Sequence, residues 1–298
     1  MTQPPTVQQL RYAVAVADER HFGRAAAACH VSQPSLSAQV RELETRLGVD
    51  LFERTSRGVL LTPAGAALVD RARRVLTEVD DLGTAAEALA DPLAGPLHLG
   101  VIPTLAPYVV PGLVRRVRSA LPDLRLHLHE QQTERLLDGL VDGRIDAAVL
   151  ALPVERPGLT SRELYVEPFV LAVPEGHRLA GRGSCSIEDL ISEPLVLLEE
   201  GHCLRDQALD VCRLAGREGG TEIQGTSLGT VVQMVATGLG VTLLPATAVD
   251  VEVKRDTGVV VVPFGRPVPT RTIGVAWRAS SPRVDVIHRL ADLVPAPT

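Results

Sequence analysis

Apolar positions Val7, Leu10, Val14 and Ala17 recur at intervals of three, four and three, which predicts an amphipathic helix near the start of the chain. A break at His21–Gly23 precedes a second, short helix over "GRAAAACH". The stretch "VSQPSLSAQVRELETRLG" predicts a third, with Ser32 as N-cap, Pro34 in the tolerant first turn and Gly48 as the stop. Its apolar stripe is Leu36, Val40, Leu43 and Leu47. That leaves Gln33, Ser35, Ser37, Ala38 and Arg41 on or near the exposed face. "LFERTSRGVLLT" reads as two strands around a turn that carries Arg54, Arg57 and Gly58. Thr62–Pro63 then opens a longer helix in which Leu68, Ala72, Val75, Val79, Leu82, Ala86 and Leu89 alternate at four and three. Such strict spacing predicts a two-stranded coiled coil, and so a dimer, rather than a helix lying on a globular core.

After the linker "DPLAGP" the pattern changes to alternating strands and helices. "LHLGVI" and "DLRLHLH" read as strands around the helix "PGLVRRVRSAL", and "TERLLDGLVDG" leads to the buried strand "IDAAVLAL". This βαβαβ order predicts a parallel sheet with helices on both faces. A second set follows, in "FVLAVP", "PLVLLEEG", a helix after Gly201, "TEIQG", the helix "SLGTVVQMVATGLG" and "VTLLP". The strand "TIGVAWR" and a helix from Arg283 return to the first set. The fold class is therefore α/β, with a winged helix-turn-helix over 1–61 and a linker helix over 62–91. Lobe I takes 96–168 and 272–298, lobe II takes 169–271, and crossover strands leave a cleft between them.

Two short helices, a tight turn and a wing form a pattern that enters DNA grooves. Ser32, Gln33, Pro34, Ser35, Ser37, Arg41, Arg54 and Arg57 are the candidate DNA contacts: small and amide side chains suit base edges, whereas arginine and serine suit phosphates. The net charge of −6 argues weakly against nucleic acid, but residues 1–65 stand at +1 and the remainder at −7. A near-neutral head on an acidic body is compatible with double-stranded DNA as partner. The 45% hydrophobic and 22% charged content is that of a soluble globular protein, and with 3% aromatics the cores must be built from Leu, Val, Ile and Ala. Neither a basic-then-apolar leader nor a membrane-length apolar run is found, so a cytoplasmic address and no membrane partner are expected. Four cysteines in that compartment are not expected to form permanent disulfides.

Two of those cysteines lie nine positions apart in "EEGHCLRDQALDVCRLAG". The apolar face Leu204, Ala208, Leu209 and Val211, ended by Gly216, predicts a helix. Nine residues along it separate Cys203 from Cys212 by about 13.5 Å and turn them to opposite faces. A disulfide needs Cα atoms within roughly 7 Å, so the pair cannot bond while the segment is helical. Cys203 falls near the helix N-terminus, where the dipole favours a thiolate; Arg205 adds positive charge and His202 a donor. Asp206 opposes this and is assigned to orienting Arg205 or handling a proton. No metal is expected from so long a spacing with one nearby histidine. On these residues alone, inert packing and a redox switch both stand.

The run "AAAACHVSQPSLSAQVRELETRLGVDLFERTSRGVLLTPAG" resembles the N-terminal signature of LysR-type transcriptional regulators. That resemblance implies a periplasmic-binding-protein-like effector domain of two Rossmann-like lobes, a palindromic operator and a homodimer or homotetramer. "LEEGHCLRDQALDVC", with "GVIPT", "HEQQT", "TSLGTVVQMVATGLGVTLLPA" and "RTIG", is similar to the peroxide-sensing members of that family over nearly the whole chain. It implies that Cys203 is the peroxidatic thiol and Cys212 the resolving one. It also implies that Thr104, Thr133, His202, Arg205, Asp206 and Arg271 surround hydrogen peroxide, that a cellular thiol reductant resets the pair, and that no cofactor is needed. Cys185 is an extra cysteine outside the pattern. Two rival readings are a regulator that senses a small organic ligand in the cleft and a thiol peroxidase.

Overall fold

The computed structural model describes residues 4–55, 58–91, 93–214, 216 and 222–296, with side chains throughout except at 54, 55, 58, 84–90 and 222. It divides into two compact units, Met1–Ala86 and Glu87–Thr298. Among the described residues no helix is long and apolar enough to cross a membrane.

The first unit packs α1 (Val7–Glu19), α2 (Phe22–Ala28) and α3 (Gln33–Leu47) around Val16, Ala25, Leu36 and Leu43. Local capping sets each start. Thr6 and Gln9 form a reciprocal capping box on α1, the His21 ring accepts from the amides of Gly23 and Arg24 on α2, and Ser32 Oγ accepts from Ser35 on α3. The wing is the antiparallel pair β1 (Phe52–Thr55) and β2 (Gly58–Leu61). The long helix α4 (Pro63–Ala90) starts where Thr62 Oγ1 accepts from Gly65 N at 2.8 Å and donates to the Asp50 carbonyl at 2.7 Å. A Cβ on Gly65 would stand 2.0 Å from the Leu51 carbonyl oxygen, so only glycine lets α4 approach β1 this closely.

Ser37 departs from expectation. It is buried, and Arg41 folds back to its hydroxyl and carbonyl, both at 3.4 Å. It follows Leu36 by one residue and precedes Val40 by three, so it flanks the core stripe rather than facing out. Along α4, Val69 and Ala72 are buried in this unit, whereas Val75 and Leu82 are 47% and 75% exposed. Beyond Ala72 the four-three stripe thus leaves the core with Val75, Val79 and Leu82 bare, and the side chains of Ala86 and Leu89 lie outside the described residues.

The second unit begins with β3 (Gly95–Val101), α5 (Ala106–Ala120), β4 (Leu124–Glu130), α6 (Thr133–Val141) and β5 (Ala147–Leu152). β3 lies parallel to both β4 and β5. Then come β6 (Leu159–Pro174), β7 (Leu195–Leu198), α7 (Cys203–Leu214), β8 (Glu222–Gly225) and α8 (Leu228–Ala236). The chain continues through β9 (Thr242–Pro245), α9 (Ala246–Glu252), β10 (Val259–Pro263), β11 (Thr270–Arg278) and α10 (Val284–Leu293).

Two apolar cores result. One is built from Leu97, Leu99, Leu136, Val149, Ile273 and Ile287, the other from Phe169, Leu171, Val196, Val232 and Leu244. The sheet is mixed rather than purely parallel, because β11 runs antiparallel to β5 and to β6. Strand β6 is also longer than "FVLAVP" predicts. Its first part pairs with β11 and its second with β9 and β10, so one 16-residue strand serves both lobes. The elements α9 and β10 were not expected from the pattern.

Candidate functional site

Helix α7 carries both thiols, Cys203 as its first residue and Cys212 ten residues into it. None of the four cysteines is in a disulfide. Cys203 packs against the lobe I core, whereas Cys212, 2% exposed, belongs to the lobe II core. One helix therefore anchors its two ends in different hydrophobic clusters, with the sulfurs' backbones about 13.5 Å apart. The turn into α7 depends on Gly201, whose φ of 92° is a left-handed value that side chains disfavour. Gln132 of lobe I faces this turn and donates from Nε2 to the Glu200 carbonyl at 3.4 Å.

Because β3 and β4 are parallel neighbours, the segments after them emerge at the same sheet edge. Thr104 follows β3 and Thr133 opens α6 after β4. Arg271 reaches the same place from β11. Its Nε donates to Glu167 Oε2 at 2.7 Å, Nη1 to Thr104 Oγ1 at 3.0 Å and Nη2 to the Thr104 carbonyl at 3.2 Å. Both side chains of the Arg271–Glu167 pair are 0% exposed. Thr104 accepts through its hydroxyl oxygen, so its own proton remains available to a further acceptor. Thr133 Oγ1 is buried, and its hydroxyl acts on the Cys203 thiol.

The electrostatics of Cys203 differ from expectation. Burial pushes its thiol above the ordinary range, while Arg271 and the Thr133 hydroxyl pull it back. Asp206 adds to the upward push. The cation acting on the sulfur is thus Arg271, and burial is the largest influence on it, where a helix terminus alone predicted a low value. With the folded thiol raised, ionisation increases as pH climbs through and beyond the usual thiol value of about 8.5. The rate of Cys203 alkylation by iodoacetamide is accordingly expected to rise about tenfold per pH unit between 7 and 8, without a plateau below about 8.5. A plateau near neutral pH, read by timed mass spectrometry, would contradict it.

His202 is buried, and burial lowers its pKa against the opposing influence of Glu199. It lines an inter-lobe cavity of about 400 Å³ with Thr104, Tyr108, Glu130, Ser227 and Glu252. Tyr108 of α5 donates to Glu252 of α9 at 2.7 Å across this cavity, joining the lobes. Arg205 lies on the lobe II side beside Leu197, Ala208 and Leu243, with Nη1 3.9 Å from Asp206. Asp206 is 72% exposed. Cys203, Thr104, Thr133 and Arg271 therefore come together, His202 adjoins them along the cavity, and Arg205, only 16% exposed, turns to the lobe II side with Asp206 beside it. Cys185 is buried against the carbonyls of Val262 and Pro263, and its thiol is pushed up to about 11, chiefly by burial. Among the described residues no group of three or more His, Cys, Asp or Glu could hold a metal ion.

On the first unit, Ser32, Gln33, Pro34, Ser35 and Arg41 are exposed along the front of α3. Arg57 lies outside the described residues, and Arg54 is described only through its backbone in β1.

Residues 7–66 match the bacterial regulatory helix-turn-helix family of lysR type, and residues 90–296 match the LysR substrate binding domain. The chain belongs to the LysR family. It is 48% identical over 290 residues to the DNA-binding transcriptional dual regulator OxyR of Escherichia coli K12, covering 97% of this chain and 95% of that protein. It is 49% identical over 288 residues to a probable hydrogen peroxide-inducible genes activator of Streptomyces viridosporus, covering 96% and 92%. A full-length OxyR variant from Pseudomonas aeruginosa superposes with a TM-score of 0.80 at 41% identity, over 98% of this chain and 95% of that one. An H2O2-bound mutant of Corynebacterium glutamicum OxyR gives 0.67 at 39%, over 98% and 92%.

The LysR fold also holds residues that the sequence reading missed. Glu167 and Gln132 are two of them. The one clue to Glu167 is an acidic residue inside the otherwise apolar "LYVEPFVLAV", where an unpaired charge would be costly to bury.

Proposed function

We propose that this LysR-family chain is a hydrogen-peroxide-responsive transcription regulator, switched by oxidation of Cys203 and its bonding to Cys212. The observation that carries the reading is the placement of a half-buried thiol beside Arg271, Thr104 and Thr133, on a helix that keeps its partner thiol out of reach. The Cys203 thiolate attacks one oxygen of H2O2, the O–O bond breaks, and Cys203 becomes a sulfenic acid while hydroxide leaves. The Arg271 charge favours the thiolate, and the Thr104 and Thr133 hydroxyls are donors for the departing oxygen as its charge develops. Cys212 then attacks the sulfenic sulfur, the S–S bond forms, and water leaves with the Cys212 proton. Two equivalents of a cellular thiol reductant reverse the bond by exchange. Each chain gives one signal per peroxide rather than turning over as an enzyme.

The reading head binds a palindromic operator as a dimer, or as a tetramer of two such pairs. The bare Val75, Val79 and Leu82 stripe of α4 supports the pairing. The division of the effector part into lobe I (96–168 and 272–298) and lobe II (169–271), the redox lobe, is supported by the two cores, whose buried residues come from those ranges. One equivalent of H2O2 is expected to link Cys203 to Cys212 in the peptide map, leave Cys29 and Cys185 as thiols, and lengthen or shift the DNA footprint. A footprint that stays fixed while the disulfide forms would refute regulation by this pair. The 400 Å³ cavity favours a second reading, a small organic effector held between the lobes. That reading gains if Cys203→Ser leaves the change in DNA binding intact.

A further inference from the structure

Resting on the peroxide reading above, we infer that Glu167 is a positioning residue for the reaction of Cys203, holding the Arg271 guanidinium in the orientation that H2O2 requires. Glu167 lies directly opposite Arg271 in the β6–β11 register, so the separation of the two is set by the sheet rather than by flexible stems. Its Oε2 accepts from Arg271 Nε. Its Oε1 accepts from the Thr247 amide at 2.8 Å and from the Thr247 hydroxyl. The carboxylate is therefore itself clamped from lobe II. With Nε committed in this way, the plane of the guanidinium is fixed, and its two terminal nitrogens are turned to the Thr104 hydroxyl and carbonyl. The chain Thr247–Glu167–Arg271–Thr104 runs from α9 across the crossover strands to the loop after β3, with its central ion pair closed to water.

Charge and position predict opposite results here, which makes the role testable. As a negative charge next to Arg271, Glu167 weakens the attraction of that cation for the thiolate. Neutralising it by charge alone speeds every reaction of Cys203. As a positioning group, Glu167 matters only to a reaction that needs hydrogen-bond donors aimed at a leaving oxygen.

The full-length Glu167→Gln protein keeps the size and one acceptor oxygen. Its Cys203 is expected to react with H2O2 at least tenfold more slowly than in the parent, and with iodoacetamide, which needs no such donors, at an equal or higher rate. Thr247→Val, which removes one of the two donors that clamp Oε1, is expected to show the same asymmetry at about threefold. Equal changes in the two rates, or an unchanged H2O2 rate in either variant, overturn the inference. Should Glu167→Gln fail to fold by circular dichroism, Thr247→Val decides alone. The parent protein tests the underlying reading separately: if it forms no Cys203–Cys212 bond with H2O2, the peroxide reading falls whatever the variants do.

Discussion

Treatment of the reduced protein with H2O2 is expected to strip amide-exchange protection from residues 204–214, and to leave that protection in place in the Cys212→Ser variant. The reasoning is geometric first. A continuous helix from Cys203 to Leu214 keeps the two Cα atoms about 13.5 Å apart, and a disulfide needs roughly 7 Å or less. Bonding therefore requires the intervening turns to unwind, with Leu204, Ala208, Val211 and Cys212 leaving the lobe II core. At about 1.5–3 kcal/mol for each fully buried aliphatic side chain, the move costs on the order of 5 kcal/mol. At that cost the unwound form is populated to roughly one part in several thousand before oxidation. Closing a loop this short costs the unwound chain about 3 kcal/mol of conformational entropy, which adds to the loss. The reduction of peroxide supplies both, and once the bond is cut the helix is again the lower state. Loss of protection in Cys212→Ser as well would mean that sulfenic acid formation, and not the disulfide, opens α7.

Replacing Arg271 by methionine is expected to lower the stability of the effector domain by about 3–5 kcal/mol, because it leaves the Glu167 carboxylate buried without its cation. For a domain of this size that corresponds to a fall in Tm of roughly 10 °C. The double variant Arg271→Met, Glu167→Leu removes both charges and is expected to recover most of the loss. Its reaction with H2O2 should nevertheless stay as slow as in the single variant, since the cation that favours the Cys203 thiolate is still missing. Thermal melts and oxidation rates on the same preparations separate the structural work of the pair from its chemical work. Recovery of both together would assign Arg271 a role in folding only.

Much of the fold follows from periodicity. The three-helix head announces itself through Ser32, Gly48 and the Leu36–Leu43 stripe, and α7 through its apolar face, because caps and stripes are local properties. What escaped depends on pairing between distant segments. The first part of β6, "LTSRELYVE", is polar and half exposed, so it carries no clean alternation. Its strand character comes from pairing with β11. Glu167 becomes legible only when the β6–β11 register sets it against Arg271. The chemistry of Cys203 was misjudged for a related reason. A helix N-terminus can be read from sequence, but the lobe I surface that desolvates the sulfur is assembled from segments far along the chain. Ser37 errs in the other direction, a polar residue that a tight helix contact encloses.

The seclusion of Cys185, walled in beside Phe264 at the edge of lobe II, has a bearing on arithmetic. With its proton held so firmly it is a poor trap for an oxidised neighbour at ordinary acidity, which disfavours a mispaired bridge within the lobe. Each polypeptide is then a binary counter, either tripped or not. Any graded answer to rising oxidant must come from the fraction of chains that have tripped.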